Sequence, residues 1–243
     1  MSMLLPSLLR FAMIGVMTLG LAGCWKSEAF RYKLTLAVNT TDGIRRGSSV
    51  AEVVFWDVWF PEKGTMHKLR GEALYLDLGP GARPLIALLT RQLHVISGKE
   101  RRWTLDAGPG TTQMSRLYGD PPSKNFMDDV SRIAQRRGPR KISASDLPDL
   151  VTFVDINDPN SVLEVDPNDL QATLGPGITW NEITLESTNE PITTGIRTKL
   201  PWLPAYFDKN LRLDGSNHGA KNELANILSW PDFDNFSDVK RSR

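Results

Sequence analysis

The sequence predicts a β-rich α+β fold, in which an antiparallel β-sandwich or sheet carries a few packed helices. Three observations lead to this prediction. Several segments alternate bulky apolar and polar residues with a period of two, as half-buried strands do. One segment, residues 123–137, carries its apolar residues at helical spacing. The chain also contains 16 prolines and 19 glycines, which predicts frequent turns.

The predicted strands begin at residue 30. Phe30–Val38 places alternate apolar side chains on one face, and Ser49–Phe60 is rich in β-branched and aromatic residues. His67–Leu78 alternates imperfectly around Gly71, which predicts a β-bulge at that glycine. Two later strands are predicted: 150–154 and 178–187.

The clearest helix signal is Ser123–Arg137. Ser123 or Asn125 can cap its start, and Gly138-Pro139 follows its end. The spacing therefore predicts one well-defined helix in the middle of the chain.

The sequence pattern does not decide the secondary structure of two further segments. Residues 83–96 are either a buried strand pair or a short helix, and 103–118 are irregular or strand-like. Short helical pieces are expected at three places: residues 170–174, from residue 193, and 224–228.

Composition excludes several classes of protein. The 29 basic and 28 acidic residues give a net charge of +1, so no field of one sign is present to attract nucleic acid. With 40% hydrophobic residues the chain can build a core. The single cysteine excludes an internal disulfide framework and a cysteine-rich metal site. We therefore expect no nucleic-acid partner and no cofactor.

The first 23 residues have the layout of a secretory signal. Arg10 precedes an apolar segment, Phe11–Leu21, and the small residues Ala22 and Gly23 follow it. The uncharged stretch Phe11–Trp25 has 15 residues, which is short of the ~20 that a spanning helix needs. A retained transmembrane helix is therefore the weaker interpretation.

Leu21-Ala22-Gly23-Cys24 resembles the lipobox of bacterial lipoproteins, and Cys24 is the only cysteine in the chain. The resemblance implies that residues 1–23 are a signal peptide, cut before Cys24. It also implies a diacylglycerol on the Cys24 thiol and an acyl chain, such as palmitate, on the new amino group. Two or more acyl chains give stable membrane anchoring. An ordinary signal peptide followed by an incidental cysteine is the alternative.

This resemblance also implies an organisation and a location. Residues 24–29 would be a lipidated tether and 30–239 a single globular domain. The lipid on Cys24 would hold the chain at the cell membrane or the outer membrane, facing the periplasm or the exterior. Lipoproteins retained in the inner membrane often carry Asp after the cysteine, so Trp25 favours the outer membrane.

Three further stretches resemble a family of uncharacterised proteobacterial proteins. They are RYKLTLAVNTTDGIRRGSSV (31–50), LVTFVDINDPNSV (150–162) and TGIRTKLPWL (194–203). The resemblance spans most of the chain after Cys24. It implies one domain and supplies no activity, ligand or site.

One group of residues has the chemistry of a cation site. Asp155, Asn157, Asp158 and Asp169 supply oxygen ligands at close positions after a predicted strand, as a hard cation such as calcium requires. The run is similar to the calcium linker motif of cadherin-type sandwiches, but it lacks that motif's later residues and the glycine and distal glutamate of an EF-hand. The alternative is two Asp-Pro turns whose side chains bond their own backbone.

Catalytic residues are not identifiable. The three histidines lie far apart, without metal-ligand spacing, and no serine stands in a nucleophile-elbow motif. The basic residues from 132 to 141 are those of a solvated helix end, with contact to anionic lipid as the alternative. Five tryptophans could line a sugar or peptide groove, although strand tryptophans more often pack in a core: Trp56, Trp59, Trp103, Trp180 and Trp202.

We therefore expect a lipid-anchored cell-envelope protein with a non-catalytic binding or scaffolding role, whose partner is an envelope protein or a glycan. Two alternatives stay open. An envelope hydrolase acting on glycan or peptide requires a cleft with two facing carboxylates or a Ser-His pair. A cation- or small-ligand-binding module requires that the four oxygen ligands named above converge.

Overall fold

The computed structural model describes residues 27–58, 64–94, 101–107, 111–219, 221 and 223–236. These residues form twelve strands: β1 (Ser27–Thr40), β2 (Gly43–Val58), β3 (Gly64–Glu72), β4 (Leu74–Leu76), β5 (Leu85–Ala87), β6 (Thr90–His94), β7 (Arg101–Ala107), β8 (Arg140–Lys141), β9 (Leu150–Phe153), β10 (Val162–Glu164), β11 (Thr179–Thr188) and β12 (Asp234–Asn235).

The same residues form six α-helices: α1 (Thr111–Tyr118), α2 (Phe126–Gln135), α3 (Leu170–Leu174), α4 (Ile196–Lys199), α5 (Leu203–Lys209) and α6 (Leu224–Ile227). Three short 3₁₀ turns complete the set: Ala144–Asp146, Pro159–Ser161 and Trp230–Asp232.

The strands form two antiparallel sheets and a separate pair of strands. The large sheet has the strand order β12-β3-β2-β1-β11-β8, and the small sheet has the order β10-β9-β5-β4. β6 and β7 pair with each other. The predicted β-rich α+β fold is thus confirmed.

The large sheet is built on the period-two pattern of β1. Its apolar side chains, from Phe30 through Leu34 to Val38, are all buried on one face. β1 pairs with β2 along its whole length, from Ser27 opposite Trp56 to Thr40 opposite Gly43. Because alternate residues of a strand point to opposite faces, this register places one apolar and one polar face across the sheet.

The chain passes from the large sheet to the small sheet at Gly71. A Cβ atom at this position would lie 2.7 Å from the Ala51 Cβ, and the φ angle of Gly71 is +154°, so glycine permits the close approach. The β2–β3 register runs without a shift as far as Arg70, one residue before Gly71, so the bulge predicted at Gly71 stays a prediction. β3 ends at Glu72, and the chain resumes at Leu74 as the first strand residue in the small sheet.

Two apolar clusters share the small sheet. The first cluster contains the inner face of the large sheet, helix α2 and one face of the small sheet, including Leu74 and Leu85. The second cluster contains the other face of the small sheet, including Phe153, and the carboxyl-terminal segment with Leu200 and Phe233. The small sheet is therefore the middle of three layers.

The predicted helices are partly confirmed. Helix α2 begins after Asn125, whose side chain accepts a hydrogen bond from the Met127 backbone N–H at 3.1 Å. The expectation for 103–118 is wrong over its second half, where α1 forms because Met114 is fully buried against the first cluster. Segment 83–96 contains strands β5 and β6, which pair with different partners rather than with each other.

Candidate functional site

A cavity of about 70 Å³ lies between the two sheets. Strands β1, β2 and β11 form one wall through residues such as Leu34 and Leu185, and strands β4 and β5 form the opposite wall through Leu74 and Ala87. The segment 146–148 also borders the cavity. Its walls are mostly apolar because the inward positions of both sheets meet here.

Tyr32 brings a polar group to this apolar wall. It occupies an inward position of β1, borders the cavity and is only 7% exposed. Burial raises the pKa of the Tyr32 phenol well above its ordinary value, so the hydroxyl is neutral. Among the described residues, this hydroxyl makes no hydrogen bond, and it is not one of the polar atoms that are wholly cut off from solvent without a partner. The hydroxyl is therefore open to water or to a ligand.

Glu72 borders the same cavity at the end of β3. Its carboxylate accepts a hydrogen bond from the Ile196 backbone N–H at 2.7 Å. The Ser49 hydroxyl, also in the cavity wall, donates to the Glu72 carbonyl oxygen at 2.8 Å. Burial raises the pKa of the Glu72 carboxyl, and the negative charge of Asp234 adds to this effect against the opposing hydrogen bonds from Ile196 and Gly195.

Behind Glu72 lies a second buried carboxylate. Asp234 is the register partner of Glu72 across β3 and β12, and it is 1% exposed. The Arg197 guanidinium donates to its Oδ2 at 2.6 Å, and the same guanidinium lies 4.7 Å from the centre of the Phe207 ring. This group of two acids and one arginine connects helix α4 to the edge of the large sheet.

The four candidate calcium ligands each serve their own turn. Asp155 Oδ1 accepts from the Asn157 backbone and side-chain N–H groups, and Asp158 Oδ1 accepts from the Asn160 N–H. Asp169 caps helix α3 through the Ala172 N–H at 3.2 Å. Within the described part of the chain, no three acidic, histidine or cysteine side chains come together as a metal site. The geometry is that of Asx turns.

The histidines and tryptophans do not define a catalytic site or a groove. Trp56 is on β2, Trp180 donates to the Pro167 carbonyl at 2.8 Å, and Trp202 packs in the second cluster. His67 lies on β3 beside Phe55, and His218 contacts its neighbour Asn217; the side chains of His94 and Trp103, and all of Trp59, lie outside the described residues.

The basic residues after helix α2 are largely engaged locally. Arg132 pairs with Asp129, Arg136 pairs with Asp120, and Arg140 lies over the Tyr118 ring. Arg137 donates to the Ala134 carbonyl at the end of the helix. These contacts agree with a solvated helix end.

Sequence reasoning missed the cavity. The available signal was weak. Tyr32 is the one residue with a polar tip among the buried positions of β1, and Glu72 is an acidic residue inside an apolar strand pattern. Neither feature shows from sequence alone that the two side chains lie on one wall.

Comparison of the chain with protein-family models, with curated proteins and with solved structures found no match. No helix in the described residues is long and apolar enough to cross a membrane. Cys24, together with the whole segment 1–26, lies outside the described residues.

Proposed function

We propose that this protein is a lipid-anchored cell-envelope protein that binds a small, mainly apolar ligand and does not catalyse a reaction. The lipobox-like stretch ending at Cys24 supports the anchor. The observation that carries the binding role is the apolar cavity between the two sheets, bordered by the Tyr32 hydroxyl, which makes no hydrogen bond among the described residues. A cavity with apolar walls and a few converging polar groups is the usual form of a ligand site.

The cavity limits the size and chemistry of the ligand. A volume of about 70 Å³ corresponds to about two water molecules at roughly 30 Å³ each. The cavity therefore accepts a short aliphatic chain or the end of a longer one. Its walls favour an apolar body, and Tyr32 together with Glu72 favours a hydroxyl group or another neutral hydrogen-bonding group at one end.

The contacts around the cavity support binding more than hydrolysis. The Ser49 hydroxyl is bonded to a backbone carbonyl, and none of the described residues that line the cavity is a histidine. A serine nucleophile needs an adjacent base. Asp234 lies opposite Glu72 in the sheet, but it is outside the described cavity wall and is bonded to Arg197.

A titration with 1-hexanol tests the binding role. The mature chain carrying Cys24→Ser is heated with increasing alcohol, and we expect its Tm to rise because a ligand that binds only the folded state stabilises it. Tyr32→Phe should weaken the binding about threefold to tenfold, the worth of one hydrogen bond.

A matched pair of variants locates this effect. Ala87→Leu fills the cavity and should abolish the rise in Tm caused by hexanol. Ala225→Leu makes the same substitution in the second cluster, away from the cavity, and should leave the rise in Tm unchanged. An unchanged Tm in hexanol, or an equal rise in both variants, would count against the cavity as a ligand site.

The anchor is tested by the intact mass of the chain extracted from bacterial membranes. We expect residues 24–243 plus a diacylglyceryl group and one acyl chain. A mass that corresponds to an unmodified chain would refute the anchor.

A further inference from the structure

The outer face of the large sheet changes character along its length. In the middle of the sheet, Glu52 accepts from Arg31 and from Arg70, each at 3.0 Å. Toward the start of β1, the outward positions carry Ala29, Val54, Trp56 and Met66 instead, a set that we name the tether-end patch. The register places Trp56 between Ser27 and Met66.

The tether-end patch is accessible. Met66 is 53% exposed, and Trp56, Val54 and Ala29 are half-buried. Soluble proteins rarely gather apolar side chains on an outer sheet face without a partner. A tryptophan is also the side chain that membrane interfaces favour, because its ring is apolar and its N–H can remain hydrated.

The length of chain before β1 identifies the partner. Cys24 precedes Ser27 by three residues, and each residue spans at most about 3.6 Å. Ser27 therefore lies within about 11 Å of Cys24. A lipid on Cys24 places that residue at the membrane surface, so the end of the sheet that carries Trp56 and Met66 lies within reach of the lipid headgroups.

We propose that the tether-end patch lies on the membrane surface, so that the lipid bilayer is its partner and the domain has one preferred orientation. This inference rests on the proposed lipid on Cys24. The charges beside the patch on the outer face are mixed, because Lys68 lies opposite Val54 and the Arg31–Glu52 ion pair occupies the next outward positions. The contact is therefore made by apolar side chains and does not require anionic lipid.

The orientation has a consequence for the cavity. Tyr32 and Leu34 are inward positions of β1 that border the cavity, whereas the tether-end patch is on the outer face of the same sheet. The sheet therefore separates the cavity from the headgroups, so that a ligand reaches it from the aqueous phase rather than from the bilayer interior.

The single cysteine permits a test that does not depend on lipidation in cells. The chain beginning at Cys24 is coupled through that thiol to a maleimide lipid in phosphatidylcholine vesicles whose acyl chains carry bromine. Bromine quenches tryptophan emission at close range. The emission of Trp56 is obtained as the difference between the parent chain and Trp56→Phe.

Trp180 is the control on the opposite face of the sheet. It packs against the first cluster and pairs with Val38, eleven residues from Ser27, or about 37 Å along the strand. We expect the Trp56 difference emission to lose at least half its intensity and the Trp180 difference emission to be unchanged. Met66→Lys, a change at an exposed position, should restore most of the Trp56 emission.

Three outcomes are decisive. Equal quenching of Trp56 and Trp180, or none at Trp56, overturns the inference even if Cys24 is lipidated in cells. Strong quenching that requires phosphatidylglycerol overturns the apolar mode of contact. Selective quenching of Trp56 in phosphatidylcholine supports the inference even if Cys24 proves unmodified in cells, in which case the proposed anchor alone fails.

Discussion

The two apolar clusters of this protein are built in different ways. In the first cluster, the long strands of the large sheet pair their backbone N–H and C=O groups with each other. Alternating apolar residues then suffice to give this sheet one buried face. In the second, the carboxyl-terminal segment from residue 195 contributes three short helices, α4 to α6, and the two-residue strand β12. Scattered backbone hydrogen bonds, such as the one from the Leu213 N–H to the Leu228 carbonyl at 3.1 Å, and buried polar side chains hold this segment in place.

Asn226 shows how one buried side chain holds a loop of the carboxyl-terminal segment in place. It is 1% exposed, and its Nδ2 donates to Asp214 Oδ2 at 2.8 Å and to the His218 carbonyl at 3.0 Å. Its Oδ1 accepts from the Lys221 N–H at 2.8 Å. Burial raises the pKa of Asp214, but the hydrogen bonds from Ser216 and Asn226 outweigh this effect and lower the pKa. The loop is thus organised around one buried amide.

The largest expected effect is the loss of unfolding free energy when a buried ion pair is broken, compared with an exposed one. Arg197→Met should lower the free energy of unfolding by about 3 kcal/mol, because it leaves the Asp234 carboxylate buried without a counter-charge. Arg46→Met breaks the exposed pair with Glu182 and should cost less than about 1 kcal/mol. Urea denaturation measures both values, and equal losses would contradict the distinction between the two regions.

A smaller effect is expected at the buried amide. Asn226→Ala removes the shared partner of Asp214 and Lys221 and should cost about 2 kcal/mol. The loop 214–219 should then be cut faster in limited proteolysis. Asn157→Ala, which removes an exposed amide in another turn, provides the control and should leave both readouts nearly unchanged.

The smallest expected effect is a pH dependence at the junction of the two clusters. The pKa of Glu72 is raised above its ordinary value of 4.5, so the folded state holds this proton more tightly than the unfolded chain. The resulting stabilisation is complete below pH 4.5 and is lost as the pH rises through the raised pKa. Glu72→Gln should remove this decline in Tm while keeping the acceptor for the Ile196 N–H. A decline of equal size in both proteins would assign the pH dependence to other groups.

The first cluster was the more predictable region. β1, β9, β11 and helix α2 follow from local periodicity and lie within three residues of their predicted ends, whereas β2 begins at Gly43, six residues before its predicted start. Their patterns are strong because each element buries one face. Helix α1 was missed, since two threonines at its start favour a strand and only burial of Met114 in the assembled core favours the helix.

The second cluster and the cavity depend on distant pairs. Glu72 and Ile196 are 124 residues apart, and no local pattern relates them. In the sequence, Tyr32 looks like any other inward residue of a half-buried strand. Only the way the small sheet packs against β1 places it in a cavity wall. The oxygen-rich run after β9 forms turns, one of the two interpretations that its sequence allows, because short Asp and Asn side chains bond their nearest backbone N–H.

The most direct test of the proposed anchor is metabolic labelling with an alkyne fatty acid, comparing the wild type with Cys24→Ala and followed by membrane fractionation. We predict that the wild-type chain carries the label and sediments with the membranes, and that Cys24→Ala loses both the label and the membrane association. Unlabelled wild-type protein in the soluble fraction would contradict the anchor, and the domain would then be a freely diffusing protein.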